Sequence, residues 1–123
     1  MAEENATILI IEDDEDIAEV LVILLKGFGY DAVHAPDGEA ALHFLRATSR
    51  LPDVILLDLM MPVMDGEQFR IEQLRDTRFA HIPVVVMSGA GHPEHKVSSL
   101  RPNAYLVKPV DAGTLSRALS RLM

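Results

Sequence analysis

Apolar and polar positions along the chain alternate between two repeat lengths. Ile8–Ile11, Val54–Leu57 and Val84–Met87 are uninterrupted four-residue apolar runs rich in Ile and Val. Runs of that length predict strands buried on both faces, as in a parallel sheet covered by helices. Between them the spacing becomes helical. Ile17, Leu21, Leu24, Leu25 and Phe28 fall at i, i+4, i+7, i+8 and i+11, which is one helix face. Leu115, Ala118, Leu119 and Leu122 repeat that pattern near the C-terminus.

The punctuation agrees. Gly27 and Gly29 close the first helix, Asp37-Gly38 opens the second, Asp65-Gly66 opens the third, and Asp111 can cap the last. The expected strands lie near 7–12, 30–35, 53–58, 83–88 and 104–107. The expected helices lie near 15–28, 38–48, 66–76, 94–101 and 111–122. Strictly alternating βα units make a doubly wound α/β fold, a (βα)5 parallel sheet with right-handed crossovers and helices on both faces.

Composition narrows the class. A chain of 123 residues, 49% hydrophobic and 24% charged, suits one folded domain, expected to span 1–123 with no output domain. With no cysteine there is neither a disulfide nor a thiolate metal site, in keeping with a cytoplasmic protein. No signal peptide is expected, since Met1–Ala6 is short and acidic, and no apolar run is long enough to span a bilayer. The start at Met1 with a short polar lead is read as a complete protein rather than a piece of a hybrid kinase. A net charge of −8 opposes direct binding to nucleic acid.

The candidate chemistry follows the strands. Glu12-Asp13-Asp14 follows the first run, Asp58 the third strand, Ser88 the fourth, and Lys108-Pro109 the fifth. In an open parallel sheet these ends share one edge, where ligands bind. Two carboxylates about 4 Å apart repel by roughly 4 kcal/mol at an effective dielectric of 20. Glu12, Asp13 and Asp58 therefore call for a cation, and their all-oxygen donors favour Mg²⁺ over zinc or copper. A carboxylate, a hydroxyl and a lysine beside such an ion form a phosphoryl-transfer set, with Asp58 as the nucleophile. No GxxxxGK[ST] loop occurs, which excludes nucleotide binding in that mode.

ILIIEDD at 8–14, VILLDLMMPVMDG at 54–66, VVVMSGAG at 84–91 and AYLVKP at 104–109 together resemble the response-regulator receiver domain over essentially the whole chain. The resemblance implies a flavodoxin-like sheet of order 2-1-3-4-5. It implies Asp58 as phosphoacceptor and metal ligand, Asp13 as a direct Mg²⁺ ligand, Glu12 acting through water, and the Met60 backbone carbonyl completing the set. Ser88 and Lys108 would meet the phosphoryl oxygens, Tyr105 would be the aromatic switch, and the Lys108-Pro109 bond would be cis. The implied partners are a sensor histidine kinase or histidine phosphotransfer protein and an unidentified downstream protein, with the chain a monomer or weak dimer. Between Ser88 and Lys108 the chain is shorter than the family pattern, and Pro93 and Pro102 bracket a short helix near 94–101.

Plainer readings accompany these. Asp14 is a helix cap, Met60 and Met61 are packing side chains, and Tyr105 also suits a half-buried strand aromatic. His92 and His95 suit a solvated loop better than a metal site, His34, His43 and His81 have no evident partner, and Arg117 and Arg121 mark a solvated face. Two other functions fit the same residues: a receiver-like module that no longer switches, and an aspartate-nucleophile phosphohydrolase of the haloacid dehalogenase type. The second needs an Asp two residues after the nucleophile, where this chain has Met60. The expected activity is thus self-catalysed phosphoryl uptake and loss, not that of an enzyme with multiple turnover.

Overall fold

A computed structural model of the chain describes residues 5–59, 66–89 and 100–123. In chain order these form β1 (Thr7–Ile11), α1 (Glu15–Gly27), β2 (Asp31–Ala35), α2 (Gly38–Ala47), β3 (Val54–Asp58), α3 (Gly66–Arg75), β4 (Val84–Ser88), β5 (Ala104–Val107) and α4 (Ala112–Leu122). The short helix expected near 94–101 falls almost wholly outside the described residues, as do His92, His95 and Met60. The five strands pair in parallel in the order β2-β1-β3-β4-β5.

The apolar runs are continuous because each strand feeds two cores. Leu9, Ile11, Ile55, Leu57, Val84 and Val86 face one side, where Ala41, Leu42 and Leu45 of α2 and Phe69 of α3 cover them. Ile8, Ile10, Val54, Leu56, Val85 and Met87 face the other, against Leu21 and Leu25 of α1 and Leu115 and Leu119 of α4. The two-residue period of a strand assigns alternate side chains to opposite cores. Edge strands β2 and β5 are only partly buried.

Caps end the helices where expected. Asp14 accepts from the amides of Asp16 and Ile17, Asp37 from Ala40, and Asp111 from Thr114. Gly29, at φ 95°, takes the left-handed turn after α1, and the Tyr30 amide there bonds back to the Leu25 carbonyl. The buried stripe of α1 is Ala18, Leu21 and Leu25, rotated from the expected face: Ile17 is 37% exposed, and Leu24 and Phe28 are partly buried. Ala18, 2% exposed, takes the place in the core that Ile17 was expected to fill.

One close approach positions the end of β3. A Cβ on Gly66 would lie 2.8 Å from both the Asp58 carbonyl oxygen and the Leu59 Cα, and the Gly66 amide donates to the Leu59 carbonyl. Only glycine lets α3 begin against the residues that carry Asp58.

Candidate functional site at the ends of the strands

Each site residue is set by the strand it terminates. The Glu12 amide donates to the Ala35 carbonyl, extending the pairing of β1 with β2 by one step. The Glu12 carbonyl accepts from His34 Nε2 at 2.7 Å, so that nitrogen carries the ring proton. Sequence reasoning found no partner for His34. The contact arises from the pairing of β2 with β1, which opposes Ile10 to His34.

Glu12 is fully buried and Asp58 is 3% exposed, while Asp13 lies open on the adjoining loop. Their carboxylate oxygens lie within 4.8 Å of one another. Lys108 Nζ reaches Glu12 Oε1 at 2.8 Å and Asp58 Oδ2 at 3.3 Å. The Lys108 amide donates to the Ser88 carbonyl, and the Lys108–Pro109 peptide is cis. The Asp14 side chain caps α1, while its backbone amide donates to Glu12 Oε2 at 3.4 Å.

Burial pushes the Glu12 carboxyl above its ordinary value, and the hydrogen bond to Asp58 and that group's charge add to this against the opposing pull of Lys108. For Lys108 burial works against the charge, but the hydrogen bonds and charges of Glu12 and Asp58 together outweigh it and raise the ammonium's value. Among the described residues the group gathers three carboxyl side chains around the Lys108 ammonium, an excess of negative charge. With only oxygen donors, two buried carboxylates and a third open to solvent, it fits a hard divalent ion that keeps some of its water.

Ser88, fully buried at the end of β4, donates its hydroxyl to Tyr105 Oη at 3.1 Å. Tyr105 stands on β5, 37% exposed. The strand ends thus bring Glu12, Asp13, Asp58 and Lys108 together, and link Ser88 to Tyr105. Arg117 and Arg121 are exposed on α4, as expected. Sequence reasoning passed over a buried pair, Arg70 and Gln73 of α3. Nothing in the spacing of a polar helix distinguishes them from its solvated residues.

This arrangement has close relatives. The model of the response regulator receiver domain matches residues 8–120. The chain belongs to that family. It is 39% identical over 106 residues to the DNA-binding dual master transcriptional regulator RpaA of Synechocystis, covering 85% of this chain and 43% of RpaA. It is 35% identical over 122 residues to the sensor histidine kinase TmoS of Ectopseudomonas mendocina, covering 98% of this chain and 12% of TmoS. The receiver therefore spans less than half the length of either relative. A crystal structure of a putative response regulator from Chloroflexus aurantiacus superposes with a TM-score of 0.88 at 27% identity, over 97% of this chain and 98% of that one. The receiver relatives are signalling regulators, and the fold is the flavodoxin-like one of that family. Among the described residues no helix is long and apolar enough to cross a membrane.

Proposed function

We propose that this receiver accepts a phosphoryl group on Asp58, from the phosphohistidine of a sensor histidine kinase or histidine phosphotransfer protein, in the cytoplasm. The observation that carries the reading is Lys108 bridging Glu12 and Asp58, with Asp13 alongside. One Asp58 oxygen attacks phosphorus, the P–N bond to the donor imidazole breaks, and the imidazole leaves with its electron pair and takes up a proton. Glu12, Asp13 and Asp58 would hold Mg²⁺, with the Met60 carbonyl as a further ligand, and the ion would neutralise charge on the phosphoryl oxygens. Lys108 is the second source of positive charge at the acceptor, and it turns from Glu12 toward the phosphoryl group as the new charge arrives.

Ser88 connects the acceptor to the surface. Its hydroxyl has one proton, now given to Tyr105. Donating it to a phosphoryl oxygen instead releases Tyr105, and the exposed face of β5 changes for a downstream protein partner. The receiver acts as a monomer or weak dimer and, at net charge −8, has no direct role on nucleic acid. Turnover is limited to its own phosphorylation and dephosphorylation.

Incubation with acetyl phosphate, with and without Mg²⁺, followed by intact mass, tests the acceptor. One phosphoryl gain that requires Mg²⁺ and disappears in Asp58→Asn is expected. Equal gain in Asp58→Asn overturns the assignment.

A further inference from the structure

Outside the acidic site and Ser88, the buried polar side chains among the described residues are Arg70 and Gln73. Arg70 Nε donates to the Leu100 carbonyl at 2.9 Å, one terminal nitrogen to the Arg101 carbonyl at 2.9 Å, and the other to Gln73 Oε1 at 2.7 Å. Gln73 Nε2 donates in turn to the carbonyls of Phe79 and Ile82, at 3.2 and 3.0 Å. The pair thus ties α3 both to the turn that follows it and to the turn that leads into β5.

Two unfavourable features meet at this joint. The guanidinium is withdrawn from water, and these acceptors are neutral oxygens, which offset desolvation less well than a carboxylate. Burial accordingly lowers its proton affinity. Arg101 sits at φ 52°, a left-handed conformation that a residue with a Cβ adopts at a cost. Swinging the Arg70 side chain into water would return the guanidinium to solvent and free the Leu100 and Arg101 carbonyls, on either side of the left-handed residue. The turn is continuous with Asn103, whose amide donates to the Val84 carbonyl and whose side chain accepts from the Val84 amide. Two residues further on is Tyr105, the partner of Ser88.

We propose that Arg70 is a two-state latch. Closed on the Leu100 and Arg101 carbonyls, it holds the start of β5; open, it frees the turn and lets Tyr105 shift on its strand. This goes beyond the acceptor reading and does not depend on it. The latch places a control on β5 at α3, remote in sequence from the acidic group.

Amide hydrogen exchange tests it in Arg70→Met and Arg101→Gly, with Leu9 and Leu56 as reporters of the sheet centre. In Arg70→Met, exchange at Asn103 and Val84 should rise by about tenfold more than at Leu9 and Leu56, as local opening requires. In Arg101→Gly, which relieves the strain of the closed state, exchange at Asn103 should slow by about threefold. Tyr105 ring resonances should shift in Arg70→Met whether or not Asp58→Asn is also present, which separates this result from the fate of the phosphoacceptor. An even rise across the sheet in Arg70→Met shows a merely structural side chain and overturns the latch. If Arg70→Met does not fold, unchanged or faster exchange at Asn103 in Arg101→Gly overturns it alone.

Discussion

Lys108→Met removes the ammonium that bridges Glu12 and Asp58 and retains most of the aliphatic stem. At an effective dielectric of 20, contacts of 2.8 and 3.3 Å correspond to attractions of about 6 and about 5 kcal/mol. Carboxylate oxygens within 4.8 Å repel by at least about 3.5 kcal/mol per pair on the same scale. Attraction and repulsion are therefore of the same order in the metal-free protein, and the desolvation of Glu12 and Asp58 is left largely uncompensated. Removing one partner from a buried pair costs about 3–5 kcal/mol, and the 23% exposure of the lysine side chain places this site near the lower figure. Metal-free Lys108→Met should accordingly lose about 3 kcal/mol in urea unfolding followed by circular dichroism. Mg²⁺ at about a hundred times its Kd returns about 2.7 kcal/mol to a protein that binds it only when folded. The variant should also bind Mg²⁺ at least about tenfold more tightly than the wild type, since no ammonium competes for the same two oxygens. A metal-free variant that unfolds at the wild-type urea midpoint would refute the view that these side chains act as one electrostatic unit. So would a Mg²⁺ stabilisation equal in both proteins.

Three further outcomes follow from particular contacts. Glu12 has a folded value raised above the ordinary 4.5, so the folded state binds its proton where the unfolded state has released it. Metal-free stability should then fall as pH rises from 4.5 through the folded value, and urea midpoints of Glu12→Gln should show a flatter slope over that interval. Gly66→Ala should destabilise by about 1–3 kcal/mol, because its Cβ would lie 2.8 Å from backbone atoms of Asp58 and Leu59. It should slow phosphoryl uptake as well, read by intact mass over time, as the acceptor shifts. Asp37→Ala removes the acceptor for the Ala40 amide at the start of α2 and should cost about 1 kcal/mol in thermal unfolding, with uptake unchanged.

Much of this protein is determined by residue order alone, for a local reason. A strand covered on both faces must be apolar at every position, so Ile8–Ile11, Val54–Leu57 and Val84–Met87 announce buried parallel strands. A carboxylate straight after such a run, as at Glu12 and Asp58, stands where the chain leaves the sheet, and the alternation of helix and strand puts those ends on one edge. Asp14, Asp37 and Asp111 mark helix starts because a cap acts only over the next three residues.

What the tertiary structure decided depends on partners distant in the chain. The stripe of α1 that enters the core, Ala18 rather than Ile17, follows from how the helix rolls against the sheet. The ring proton of His34 is assigned only because strand pairing brings it to the Glu12 carbonyl. The link of Ser88 to Tyr105 crosses 17 residues, and that of Arg70 to Leu100 crosses 30. Such polar side chains look like solvated ones in any local pattern. Their directional contacts exist only once the strand order 2-1-3-4-5 has brought the donors and acceptors into reach.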